Sequence, residues 1–293
     1  MNVELRCISC ILNRGYLQIQ EATDDEALQF KTLSAVLSFL AEEFKLTANP
    51  AHLGTKRDRL IREMTGNPDP YKQKKHLSNQ KALEVLPLAK SIVSKESSPE
   101  LQFRKACLSA VVGNIMEFDL PDNPFKFTDL ENLIKQAEND LAIDEISQIF
   151  REAKKAETVL FLTDNAGEVA LDTLLVQELK NIGAHVTVAV KSGPILNDAT
   201  LEDAKVVGMD NVADKLMVTG SDSVGLFPSE CSKEFLDIYC SVDFVVAKGM
   251  GHAETLTELE LPVPHALLLR SKCCTVANHF NVDTGKNIAK LLH

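Results

Sequence analysis

The chain of 293 residues is 45% apolar and 25% charged, the proportions of a globular protein with enough apolar side chains for a sizeable core. A formal net charge of −11 excludes the broad basic field that nucleic acid or an anionic membrane surface requires, and zero Trp with only three Tyr removes the platform for stacking bases. MNVELRCISC lacks a charged-then-apolar leader, no apolar run approaches the about 18 residues of a membrane-spanning helix, and seven irregularly spaced cysteines read as reduced thiols, so the expectation is a cytoplasmic protein with small-molecule partners.

From about residue 8 to 153 the chain reads as helices, because apolar positions recur at three and four, as in Leu33, Val36, Leu37 and Leu40. Breaks fall at Asn49-Pro50, Gly66-Asn67-Pro68-Asp69-Pro70, Ser97-Ser98-Pro99 and Leu120-Pro121-Asp122-Asn123-Pro124, where Pro stops one helix and Asn, Asp or Ser can cap the next. Beyond residue 153 short apolar strands alternate with helical stretches: Thr158 to Leu162, His185 to Val190, Leu216 to Val218, Phe244 to Ala247 and Ala266 to Leu269. That alternation predicts an α/β fold with a mostly parallel sheet over 154–293, preceded by an all-helical region over 1–153.

Ligands of open α/β sheets sit beyond the carboxyl ends of the strands, so polar residues there carry the functional weight. They are Thr163-Asp164-Asn165, Lys191-Ser192-Gly193, Lys248-Gly249-Met250-Gly251 and Arg270-Ser271-Lys272. Carboxylate and amide oxygens such as those of Asp164 and Asn165 suit a hard divalent cation, with Asp198 as the third ligand if the Gly193-Pro194 turn brings its loop back over the sheet. The competing reading makes Asp164 and Asp198 helix caps, Asp198 for a helix from Ala199 to Val206. Glu168 and Asp172, four apart, share one helix face; the first is a candidate contact for substrate or water and the second a supporting group. Lys248 and Lys272 each follow an apolar strand, where a buried charge needs an anion, and a phosphate is one such anion. Gly249 and Gly251 would let backbone N–H groups approach it.

Several separated stretches together resemble the metal-dependent damage-control phosphatase family, the ARMT1-like proteins long known as domain of unknown function eighty-nine, and within it the archaeal and bacterial branch. They are CISC at 7–10, NPDPYKQKK and SNQKAL between Asn67 and Leu83, VVGN at 111–114, DNAGE at 164–168, GPILNDAT at 193–200, AKGMGHAETL at 247–256 and RSKC at 270–273. The resemblance implies a helical region packed on a Rossmann-like α/β domain, and hydrolysis of phosphate monoesters of small metabolites with a divalent metal, Mn2+, Ni2+, Co2+ or Mg2+. It implies Asp164, Asn165 and Asp198 as catalytic metal ligands, and Glu168, Lys248, Gly249, Met250, Gly251, His252 and Lys272 as substrate or phosphate contacts. His252 stands where related sequences often carry Asn, and Arg270-Ser271 departs from the pattern of the eukaryotic branch. Asn79 and Asn114 lie in family-like stretches, as site groups or as caps; Cys7-x-x-Cys10 reads as two ordinary thiols, half a zinc site or a redox pair. Two rival functions are an S-adenosylmethionine-dependent methyltransferase and a non-catalytic sensor of metal or phosphometabolite. The first expects a glycine-rich turn where Asp164-Asn165 stands.

Overall fold

A computed structural model describes residues 1–115 and 130–293. The break expected at Leu120-Pro121-Asp122-Asn123-Pro124 and the side chain of Asn114 lie outside the described residues. The first helices follow the punctuation of the sequence: α1 Cys7–Ala22, α2 Glu26–Glu43, α3 Pro50–Thr65, α4 Lys72–Ser94, α5 Pro99–Ile115 and α6 Leu130–Asn139. Asn49 caps α3 by accepting from the N–H groups of Ala51 and His52 at 2.9 and 3.3 Å, Pro50 needs no partner for a missing N–H, and Gly66 ends the helix at φ 68°. Val3, Ile11, Ile19, Val36, Leu40, Leu53 and Ile61 give α1 to α3 a small core of their own.

The region read as helical holds one strand, β1 Leu141–Asp144, before α7 Ile146–Ala153. Next come β2 Thr158–Leu162, α8 Glu168–Asn181, β3 His185–Val190, α9 Leu201–Val206, β4 Lys215–Val218, α10 Lys233–Tyr239, β5 Phe244–Lys248, α11 Gly249–Leu256, β6 His265–Arg270, α12 Cys274–His279 and β7 Asn287–Leu292. Among the described residues these seven strands form one sheet in the order β1-β7-β6-β5-β2-β3-β4, parallel except for the antiparallel pair β6-β7. β1 and β7 are additions to the five strands expected, and both carry weak signals. β1 is a four-residue edge strand, while NIAKLL in β7 holds one β-branched residue and a Lys.

Alternation along β2 splits the core in two. Val159 and Phe161 face a layer built from α4, α5, α7 and α8, including Val85, Phe103, Leu108 and Leu175. Leu160 and Leu162 face α10, α11 and α12 through Phe235, Leu256 and Val276. Each such side chain, fully removed from water, contributes roughly 1.5–3 kcal/mol. Among the described residues no helix is long and apolar enough to cross a membrane.

The strand order fixes where a ligand belongs. From β2 the chain steps outward to β3 and β4, then returns to lay β5 on the other side of β2 and continues to β6. The order reverses between β2 and β5, so the loops beyond their carboxyl ends diverge and open a crevice.

Candidate active site

β2 ends into that crevice. The Thr163 N–H still donates to the Ala189 carbonyl at 3.2 Å, after which Asp164 and Asn165 leave the sheet. Asn165 Nδ2 donates to Asp164 Oδ2 at 2.8 Å and to Glu168 Oε2 at 3.0 Å. Two carboxylates on the nitrogen side fix which amide atom is the donor and turn Oδ1 away from them. Across the crevice Gly249 opens α11 at φ 82°, and a Cβ there would stand 2.0 Å from Asp164 Oδ2. The side chain of Asp164 thus lies in space that a non-glycine residue would fill.

The 193–200 loop folds back over the end of β2. Asn165 and Asp198 form an antiparallel bridge, the Ala199 N–H donates to the Asp164 carbonyl at 2.7 Å, and the Ala166 N–H donates to the Asn197 carbonyl at 2.9 Å. Asp198 is therefore beside Asp164 and Asn165, and it is not the cap of α9. That position belongs to Thr200, and Asp203, three residues on, closes the capping box by accepting from the N–H and hydroxyl of Thr200 at 2.9 and 2.7 Å. The backbone of Leu196, at φ 45°, lies close enough to the carboxylate of Asp58 on α3 to oppose the rise of that acid, so the helical region meets this loop from outside.

The charges at this edge are poorly reconciled with one another. Burial first, then the neighbouring Glu168 and Asp198, push the Asp164 carboxyl well above the ordinary carboxylate range, against the pull of Lys248 and Lys272. Asp198, almost fully buried, is raised to about 6 chiefly by burial, although the Lys191 ammonium lies 3.7 Å from its Oδ2. Asp164, Glu168 and Asp198 thus share one strand end and gain from any cation placed among them. Among the described residues no group of three or more His, Cys, Asp or Glu side chains is arranged to hold a metal, so a cation here would need an amide oxygen and oxygens from water or substrate beside two carboxylates.

Lys248 behaves differently from the phosphate contact expected of it. Its Nζ is fully buried and donates to the Ala110 carbonyl at 3.0 Å, to Asp172 Oδ1 at 2.7 Å and to Glu168 Oε1. All three ammonium donors are engaged within the protein. Burial alone would lower its pKa, yet the Asp172 and Glu168 carboxylates hold it above the ordinary lysine value. The same burial raises Asp172 to about 7. Lys248 fixes the face of α8 from which Glu168 reaches Asn165.

The other expected contacts divide. Lys272, half-buried beyond β6, lies close enough for its charge to oppose the rise at Asp164, and its N–H donates to Met250 Sδ at 3.3 Å. His252 is buried, donates from Nδ1 to the Lys248 carbonyl at 2.7 Å, and is depressed to about 3, first by burial; it is neutral and anchors the first turn of α11. Gly251 serves close packing, since a Cβ there would come within 2.8 Å of Val224 Cγ1. Gly249 and Met250 belong to the first turn of α11, whose N–H groups have no intrahelical acceptors and whose dipole favours an anion.

The sequence marked Lys191 only as a polar strand-end residue with no specific task, and assigned Asp58 no role. Lys191 is 3% exposed, donates to the Gly225 carbonyl at 2.6 Å and faces Asp198; its position at the end of β3 was the available signal. Nothing local announces Asp58, which reaches the site only through tertiary contact. Cys7 is buried with Sγ 3.2 Å from Thr275 Oγ1, Cys10 is exposed, and both are free thiols. Asp222, after β4, binds Arg59 and Arg62 of α3 at 2.6 Å each and so serves structure.

Comparison with known proteins gives the family and the fold. The family model for the damage-control phosphatase ARMT1-like domain matches residues 3–288. A damage-control phosphatase of Archaeoglobus fulgidus is 34% identical over 293 residues, covering all of both chains. A damage-control phosphatase of Pyrococcus horikoshii is 32% identical over 287 residues, 97% of this chain and 96% of its own. The crystal structure of a DUF89 family protein from P. horikoshii superposes with a TM-score of 0.87 at 31% identity, over 99% of this chain and 98% of that one.

Proposed function

The chain belongs to the damage-control phosphatase ARMT1-like domain family, and we propose that the phosphomonoester hydrolysis of that family takes place here in the crevice beyond β2 and β5, on a small phosphorylated metabolite and with a divalent cation. The observation that carries this reading is the meeting of Asp164, Asn165 and Asp198 at the point where the strand order reverses, with Gly249 leaving space for the Asp164 carboxylate. The residues fit a cation: an all-oxygen donor set, two acids raised by burial and mutual repulsion, and an amide whose nitrogen side is already occupied. Asp164, Asp198 and the amide oxygen of Asn165 would hold it, as Mn2+, Ni2+, Co2+ or Mg2+. Such an ion would supply positive charge against phosphoryl oxygens and would lower the pKa of a water bound to it.

The protein's own groups do the positioning. Lys272 and the first-turn N–H groups of α11 face the crevice with the polarity that orients and stabilises an anionic phosphoryl group. Asn165 holds Asp164 and Glu168 in fixed relation, and Lys248 with Asp172 keeps Glu168 from swinging away. With three acids at the strand end and a net charge of −11, the cation together with Lys272 would supply the positive charge that draws a phosphorylated molecule in.

The test is a phosphate-release panel with Mg2+, Mn2+, Co2+ and Ni2+ across sugar phosphates, nucleotides and phosphopantetheine-like compounds. Wild-type protein should release phosphate in a chelator-sensitive way, and Asp164→Ala should abolish release while keeping the circular dichroism and melting transition of a folded chain. Unchanged turnover in Asp164→Ala would sink the site assignment. Ligand binding without turnover under every metal would favour a sensor, and S-adenosylmethionine binding that survives chelation would favour a methyltransferase.

A further inference from the structure

We infer that Asn79, on α4 of the helical region, is a positioning residue for the cation site: its one buried amide joins the segment bearing Asp164, Asn165 and Glu168 to the segment bearing Asp198. The inference rests on the cation reading given above. The Asn79 side chain, 2% exposed, accepts at Oδ1 from the Gly167 N–H at 2.7 Å and donates from Nδ2 to Asp203 Oδ1 at 2.8 Å. The chemistry of the partners fixes the orientation of the amide, because Gly167 N–H can only donate and a carboxylate can only accept.

One partner stands two residues from Asn165 and the other five from Asp198. Gly167 follows Asn165 by two and immediately precedes Glu168; as the residue before α8 it has no side chain to cap that helix. Asn79 therefore supplies from another helix the acceptor for the Gly167 N–H that a capping-box side chain at the third helical position, here Ala170, cannot provide. On the other arm, Asp203 uses its second oxygen to hold Thr200, two residues after Asp198, and Thr200 is bridged to Lys191. Lys75, one turn before Asn79, lies 2.8 Å from Asp69 and 3.7 Å from Asp203, so the carboxylate is charge-compensated where it meets the amide. Rotating or removing the amide leaves a buried N–H and a buried carboxylate oxygen without partners, and both arms relax toward whatever restores them.

Removing an outer hydrogen-bond partner of a metal site typically weakens metal binding about 10- to 100-fold. The experiment is a calorimetric titration of apo protein with Mn2+, together with amide exchange at Gly167, for wild type, Asn79→Ala, Asn79→Asp and the double variant Asn79→Asp with Asp203→Asn. Both single variants should bind Mn2+ about 10- to 100-fold more weakly and exchange the Gly167 amide faster. In the double variant the polarity is reversed. The carboxylate introduced at position 79 would accept from the Gly167 N–H and from the amide introduced at position 203, whose oxygen still accepts from Thr200, so Mn2+ affinity and Gly167 protection should return toward wild type. If the single variants do not fold, the double variant alone decides, since it must fold and bind Mn2+ as wild type does. Wild-type Mn2+ affinity in Asn79→Ala overturns the inference, as does a double variant that recovers melting temperature without recovering Mn2+ affinity. A wild-type chain that binds no divalent cation overturns the cation reading itself, and the inference with it.

Discussion

One methyl group decides whether Asp164 has room at the end of β2. Gly249→Ala would place Cβ 2.0 Å from Asp164 Oδ2 and hold an L residue at φ 82°. The backbone strain costs about 1–2 kcal/mol, and the clash has to be relieved by moving the carboxylate. A displacement near 1 Å at a reacting centre costs about 100-fold in rate, so phosphate release should fall at least that far. Gly183→Ala supplies the control: it also sits at positive φ, 107°, but has nothing within 4 Å of the added Cβ, and should lose stability while keeping activity. Equal activities in the two variants would remove Asp164 from the chemistry. That Asp164, Asn165 and Lys272 stand at one sheet edge was legible because each follows a strand, and strand ends in parallel sheets face one edge; Asp198 joins them because its loop folds back, as the Gly193-Pro194 turn suggested. Lys248 was legible only in part. The sequence implied that a buried lysine needs an anion, but the anions are Glu168 and Asp172, 80 and 76 residues away, a proximity that only folding creates.

Helix α8 is the element on which these charges are organised. Glu168 and Asp172, one turn apart, both reach Lys248 at the end of β5, and the third donor of that lysine goes to the Ala110 carbonyl of α5. Three elements are thus locked by one ammonium. Lys248→Met would leave two buried carboxylates without a cation, a change that costs roughly 3–5 kcal/mol. The pH dependence has a definite sign. Asp172 is raised to about 7 in the folded chain against about 3.9 when unfolded, so between those values the folded state binds more protons and stability falls as pH rises. Losing Lys248 removes the cation that opposes the rise at Asp172 and extends that pH window upward. Urea unfolding should therefore show a larger deficit for Lys248→Met at pH 8 than at pH 5; a deficit independent of pH would mean that the carboxylates are not its origin. Elements with strong local patterns were readable for the same kind of reason: β2, β3 and β5 are continuous buried apolar runs. β1 and β7 escaped because an edge strand of four residues and an antiparallel strand ending in Lys-Leu-Leu owe their pairing to the rest of the sheet.

At the scale of the whole molecule, the change of pattern near residue 153 marks where helices give way to strands, and it is tempting to cut the chain there. The contacts argue against independent folding of the second part. One face of the sheet, with Val159, Phe161, Val186, Val188 and Val246, is covered by a core that includes Val85, Ala89, Phe103, Leu108 and Val111 of α4 and α5. A cut at 153 exposes that face, removes the edge strand β1 from β7, and withdraws the Ala110 carbonyl from Lys248. It also removes Asp58 from Leu196, Asn79 from Gly167, and the N-terminal ammonium of Met1 from Glu258 at 2.6 Å. At roughly 1.5–3 kcal/mol for each large apolar side chain returned to water, exposing the five side chains of that face costs an amount comparable with the roughly 5–15 kcal/mol by which a whole protein is ordinarily stable. The fragment 154–293 should therefore show no cooperative thermal transition and no Mn2+ binding. Co-expression with 1–153 should restore both, because the second piece brings back the covering helices and the Asn79 and Asp58 anchors. A cooperative melt and Mn2+ binding by the fragment alone would mean that the strand-end loops are set by the sheet itself, and that the helical region has some other task.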